Sequence, residues 1–242
     1  SGTDGAASPF FSPDGHWIAF FAGTTLKKIA VTGGAAVTVC AVGTNARGGI
    51  WAEDGTIVFN AASAGRLMRV SSAGGTPEPL LTLAEGEATQ RWPQMLPGGQ
   101  AVLFTSHTTT GADYEEASIV VQRLPNGPRT VLQRGGYYGR YFSSGHVVYL
   151  HEGTLFAVPF DLDRLAVVGP PVPALDGVTT GSNTGGAQFA VSDTGTLVYL
   201  PGLSVSTDAP IVWLDRTGQT TPLRATPANW SNPHFSPDGR RL

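Results

Sequence analysis

Residue types used in molecular recognition fall at one recurring place in this chain: Arg47, Arg91, Trp92, Tyr138, Arg140, Gln188, Asn229, Trp230 and His234. Each lies just before, or at the start of, a segment that reads as the inner strand of a repeat. Guanidinium groups bind carboxylates and phosphates through paired N–H donors, and aromatic faces add contact area at little entropic cost. The set is expected to recognise a peptide, a protein or a small polar ligand. The competing structural reading packs Trp92 and Trp230 between repeats and spreads the arginines over a rim.

Other patterns that carry chemistry are weak. No Gly-x-Ser-x-Gly nucleophile elbow occurs, and Ser143-Ser144-Gly145 reads as a strand-to-strand turn. The five histidines have no metal-ligand spacing, and His16 and His146 each follow a turn glycine. Asp161-Leu-Asp163 is a fragment of a calcium-loop pattern without its glycine or later acid, so a hairpin turn explains it better. Glu115-Glu116 with Asp113 reads as a solvated acidic tip in the loop 105–117. The single cysteine, Cys40, excludes an internal disulfide and a Cys-rich zinc site. These readings predict no catalytic residues, no bound metal and no cofactor.

Composition narrows the partners. A net charge of −3 with scattered Lys and Arg gives no support to nucleic-acid binding. No apolar run approaches the ~20 residues of a membrane helix, so direct insertion is not expected. With 32 glycines and 18 prolines among strong apolar runs, the chain reads as turn-rich rather than disordered.

The elements that must position the recognition residues come from a repeat. Phe11-Ser-Pro-Asp-Gly15 leads to Phe20, and the same pattern returns as Trp51 through Phe59 and Met95 through Phe104. It returns again as Tyr141 through Tyr149 and Val191 through Tyr199, and a sixth copy starts at Phe235 and stops at Leu242. The turn glycines 15, 55, 99, 145, 195 and 239 are about 40 to 50 residues apart, the length of a four-stranded propeller blade. In each copy a large apolar residue precedes the glycine by four and should pack between blades. The tight turn follows, then a strand ending in an aromatic, a β-branched strand and a short outer strand. The fold expected is all-β, a β-propeller of four-stranded antiparallel blades. Its repeats run about 8–46, 47–90, 91–136, 137–185 and 186–228, with a partial sixth at 229–242. The chain reads as a piece of a longer propeller, or as a five-blade ring with an overhanging element. Residues 1–7 make a poor closing strand, so self-association through the incomplete sixth blade is expected.

The Phe-Ser-Pro-Asp-Gly unit resembles the WD-like propeller repeat of TolB and its relatives. Further stretches are similar to the propeller region of bacterial transmembrane serine/threonine protein kinases: Leu26-Lys-Lys-Ile29, Gly74-Gly-Thr-Pro-Glu-Pro-Leu80, Arg91-Trp-Pro-Gln94, Gly153 through Phe160 and Gln188 through Tyr199. That resemblance implies an extracytoplasmic binding or sensing module without catalytic activity, since no kinase motif is present. The alternatives are a propeller hydrolase or lyase with an axial site, and an accessory propeller of a peptidase.

Overall fold

The computed structural model describes residues 2–111, 113–181, 183–192, 195–202, 209–215, 218–228 and 233–241. Five antiparallel sheets form a ring of blades, each a meander from an inner to an outer strand. Blade 1 comprises Ala6–Phe11, Trp17–Ala22, Thr25–Ala30 and Val37–Ala41; blade 2 comprises Gly49–Trp51, Thr56–Asn60, Leu67–Ser71 and Glu78–Pro79. Blade 3 comprises Thr89–Met95, Ala101–His107, Ser118–Arg123 and Arg129–Arg134. Blade 4 begins Tyr137–Phe142, His146–His151 and Thr154–Asp161. Its outer strand is broken in two: Ala166–Val167 pairs with the far end of Thr154–Asp161 and Val172–Asp176 with the near end. Gly169-Pro-Pro171 lies between the two pieces, where proline removes ladder donors. Blade 5 comprises Phe189–Val191, Leu197–Tyr199, Ala209–Leu214 and Thr220–Ala228. A small hairpin, Thr180–Gly181 with Gly186–Ala187, precedes it. Among the described residues the helical content is one turn of 3-10 helix, Tyr114–Glu116, and no helix is long and apolar enough to cross a membrane.

The second strand of each blade is buried on both faces, which explains its unbroken apolar sequence. Alternate residues serve opposite neighbours. Phe59 and Ile57 pack with Phe10, Phe21 and Leu26 of blade 1, while Val58 packs with Val102 and Phe104 of blade 3. Leu103 joins Val147 and Tyr149 towards blade 4, and Leu150 joins Phe189 and Tyr199 towards blade 5. The aromatics expected at these strand ends, Phe20, Phe59, Phe104, Tyr149 and Tyr199, are all buried. The core is thus a set of seams between blades rather than one central mass.

Polar staples fix the seams. Asn60 donates from Nδ2 to the Gln90 carbonyl at 2.7 Å, and Gln90 Oε1 accepts from Leu67 N. Gln94 pairs with the Tyr141 backbone in both directions, donating at 3.0 Å and accepting at 2.7 Å. Thr105 Oγ1 accepts from Tyr138 N at 2.9 Å. Satisfying buried donors across a seam in this way sets one blade's height against the next.

The Ser-Pro-Asp-Gly turn is built alike at its first and last copies. Ser12 Oγ accepts from Trp17 N at 2.9 Å and donates to Asp14 Oδ1, which also accepts from His16 N. Ser236 and Asp238 repeat those bonds with Arg241 N and Arg240 N. Pro237 reaches Gly15, where a Cβ would lie 3.5 Å from its Cδ. The sixth turn therefore meets the first across the ring. Glu115 is not a solvated tip: its carboxylate accepts from Glu152 N at 2.7 Å and pairs with His151 at 3.2 Å. Its neighbour Tyr114 is fully buried.

Candidate functional site

The inner strands stack their side chains in layers around the axis, and a residue's distance from its turn glycine selects its layer. Four residues before the glycine stand Phe11, Trp51, Met95, Tyr141, Val191 and Phe235, all lining a central channel of about 710 Å³. Trp51, Met95, Tyr141, Val191 and Phe235 also pack on the apolar clusters of the blades, whereas Phe11 belongs to none of them. Its rim is made by turn residues, including Ser12, Glu53, Asp54, Pro97, Ser143, Ser192 and Pro237.

One residue deeper stand Phe10, Ile50, Gln94, Arg140, Ala190 and His234, again all in the channel lining. This layer holds the polar groups. Arg140 Nη1 donates to the carbonyls of Trp92 at 2.7 Å and Gly139 at 2.9 Å, and its guanidinium lies 4.0 Å from the centre of the Tyr138 ring. His234 shares the channel with it. Burial, reinforced by the Arg140 charge, pushes the His234 imidazole down to about 4, so it is neutral at pH 7.

Seven residues before the glycine the strands bulge. Ser8, Trp92 and Tyr138 adopt φ of 48°, 54° and 56°, and Gly48 fills the same place in blade 2 at 82°. Pairing registers shift at Ser8, Trp92 and Tyr138. Non-glycine residues in this region carry strain of about 1 kcal/mol each, held here by packing. The bulge turns Trp92 and Tyr138 inward, where their rings meet edge to face at 5.4 Å, and Tyr138 meets Phe189 in the same way.

Eight residues before the glycine stand Arg47 and Arg91. Arg91 is fully buried, donating to Thr184 O at 2.8 Å, Ser63 O at 2.6 Å and Thr89 Oγ1, and lies 4.3 Å over Tyr114. Trp92 Nε1 donates to the same Thr184 carbonyl at 3.0 Å, so the hairpin around Gly181–Gly186 packs over this end of the axis. Arg47 is half-buried.

The sequence-derived set is thereby divided. Arg140 and His234 come together in the channel, and Tyr138 underlies the guanidinium. Arg91 and Trp92 are bound into the opposite end with Arg47 beside them. Gln188 is half-buried, its N–H donating to Thr179 O at 2.9 Å. Asn229 and Trp230 lie outside the described residues. Sequence reasoning missed Gln94, although its shared offset with Arg140 and His234 was a usable signal. No group of three His, Cys, Asp or Glu able to hold a metal comes together among the described residues.

No protein-family model matches this chain, and no curated protein matches it by sequence. Solved structures do. A TolB from Agrobacterium tumefaciens is 16% identical with a TM-score of 0.70, covering 97% of this chain and 87% of its own. The gluconolactonase XC5397 from Xanthomonas campestris is 14% identical with a TM-score of 0.72, over 97% and 80%. An oligogalacturonate lyase from Vibrio parahaemolyticus is 11% identical with a TM-score of 0.61, over 97% and 73%. At such identities the likeness shows the fold, which has binding and enzymatic members. It also corrects the expectation that this chain is not an enzyme, because enzymes share its architecture closely. That expectation rested on the lack of a linear motif and on an axis expected to carry arginine, amides and aromatics rather than clustered carboxylates and histidines. An axial site takes one residue per blade, and these are scattered over the whole sequence.

Proposed function

We propose that the chain is a propeller enzyme of the hydrolase or lyase kind, acting on a carboxylate-bearing ligand held in the axial channel. One observation carries this reading: Arg140 lines the channel with no carboxylate partner among the described residues, beside a neutral imidazole, His234. A guanidinium in a partly enclosed cavity binds a carboxylate through charge-assisted hydrogen bonds. Neutralising that carboxylate acidifies the neighbouring C–H, whose proton His234 accepts while the bond to the β leaving group breaks. The same base can take a proton from water attacking a lactone or ester carbonyl and return it to the oxygen that departs as the acyl C–O bond breaks. Gln94, fixed by the Tyr141 backbone, stiffens the wall on the other side of Arg140. The aromatic walls, Tyr138, Tyr141 and Phe189, suit a ligand with apolar ring faces.

The test is turnover of oligogalacturonate and of a glucaric acid monolactone, both of which carry a free carboxylate, by the whole chain, with equilibrium binding measured in parallel. Arg140→Gln should weaken binding roughly 10- to 100-fold. His234→Asn should leave binding and lower kcat by roughly 10²- to 10⁴-fold. Binding without turnover would overturn the catalytic part, and no binding of either compound would overturn the assignment of ligand class.

We infer further that this propeller works outside the cytoplasm, as the extracytoplasmic part of a receptor-type kinase. The support is the resemblance of its repeat unit to TolB and to the propellers of bacterial transmembrane kinases. Alkaline phosphatase fused to the full reading frame should be active if so, and inactive if the propeller is cytoplasmic.

A further inference from the structure

We propose that Arg47 and Arg91, with His107 and Tyr114, form a second anion site at the hairpin end of the axis, taking a small oxyanion, carboxylate or phosphate. This goes beyond the channel reading, because the Trp92–Tyr138 layer separates Arg140 from Arg47 and Arg91. Three observations support it.

The first is uncompensated charge. Neither Arg47 nor Arg91 has a salt-bridge partner among the described residues, and the Arg91 guanidinium is fully buried. Burial pushes Arg91 down to about 10; the Tyr114 hydroxyl opposes that fall and the Arg47 charge adds to it. Like charges in adjacent blades, one buried and one half-buried, repel, and an oxyanion between them would relieve that repulsion.

The second is unspent hydrogen-bonding capacity. Arg91 is satisfied by carbonyls and a hydroxyl, but Arg47 has one long bond, 3.3 Å to the Ala46 carbonyl, and its buried Nε has no partner among the described residues. His107 is 6% exposed, its ring lies 4.8 Å from that of Tyr114, and its buried Nε2 is likewise without a partner there. Unmade hydrogen bonds of buried groups are costly, more so for a charged donor. An oxyanion offers several acceptors at once.

The third is order. Arg47 and Arg91 occupy the same repeat position in adjacent blades, and Tyr114 feels the charge of both. The layer is built and held by the Thr184 carbonyl behind Arg91 and by the Tyr114 ring beneath it.

The experiment is calorimetric titration and thermal unfolding of the whole chain with sodium phosphate, sodium acetate and sodium chloride at constant ionic strength. Phosphate or acetate should bind saturably and raise Tm; the effective salt identifies the oxyanion. In the Arg140→Gln background, which removes the carboxylate anchor of the channel, the response should persist, and adding Arg47→Gln should reduce its affinity at least tenfold, Arg47→Lys less. An equal effect of chloride would overturn the site. So would a response that survives Arg47→Gln in the Arg140→Gln background, or the lack of any saturable response. A response abolished by Arg140→Gln would put the ion in the channel and overturn the second site while upholding the first.

Discussion

Glu87 keeps a charge where its side chain is 3% exposed. Burial alone would push its carboxyl up, but hydrogen bonds from Arg129, Ser106, the Ala84 N–H and Gln90 outweigh it and hold it below the usual range. Glu87→Gln should cost about 2 kcal/mol at pH 7 in urea unfolding, towards the low side because Arg129 stays partly exposed. The sign in acid follows. A depressed carboxyl stabilises the fold above its unfolded pKa and loses that contribution as pH falls through the folded one, so wild type and variant should converge progressively in acid, below the usual carboxylate range. His234 behaves differently: its unfolded form takes a proton near 6.5 and its folded form only near 4. Stability should therefore drop as pH falls across that window, and His234→Asn should flatten the drop. If the two profiles ran parallel, the imidazole would not be held neutral as described. At this scale the sequence was legible only in part. Arg140 and His234 stood out by type and offset, whereas Glu87 sits in an apparent linker and gains its role from partners in other strands.

Between elements, the decisive quantity is how closely one inner strand approaches the next. Gly48 has φ of 82°, and a Cβ there would stand 2.6 Å from the Trp92 ring and 3.2 Å from its Cα. Gly48→Ala should thus combine backbone strain with overpacking, for a loss of about 3 kcal/mol. Gly33 is the control, with φ of 98° and open space around it. Its alanine variant should lose only about 1 kcal/mol. Equal losses at the two positions would show that the Gly48–Trp92 contact does not set the seam. The strands, their tight turns and the inward aromatics were legible because alternation, Ser-Pro-Asp-Gly and blade length all agree. The Thr180–Ala187 hairpin was not, because Gly, Ser and Thr there carry no alternation. Nor was the bulge that inverts Trp92 and Tyr138, since neither residue type favours a positive φ.

For the whole molecule the question is how five blades close. Phe235 stacks on Trp213 at 5.8 Å and joins the apolar cluster of Val198, Leu200 and Ile211 on blade 5. Two residues on, Pro237 meets Gly15 of the first blade. The sixth unit, read from sequence as an exposed edge favouring self-association, thus has partners within its own chain on both sides. It also supplies His234, Phe235, Ser236 and Pro237 to the channel wall, so closure and the candidate site share residues. Removing residues 233–242 should uncover the blade 5 cluster and open the channel together. In sedimentation the full chain should remain monomeric and the shortened one should associate, since an uncovered apolar face seeks a second copy. Phe235→Ala should act in the same direction more mildly, costing about 2 kcal/mol for a half-buried aromatic. It should weaken ligand binding even with His234 retained. A shortened chain that stays monomeric and keeps full affinity would mean that the ring closes without its sixth turn, and would detach the site from closure.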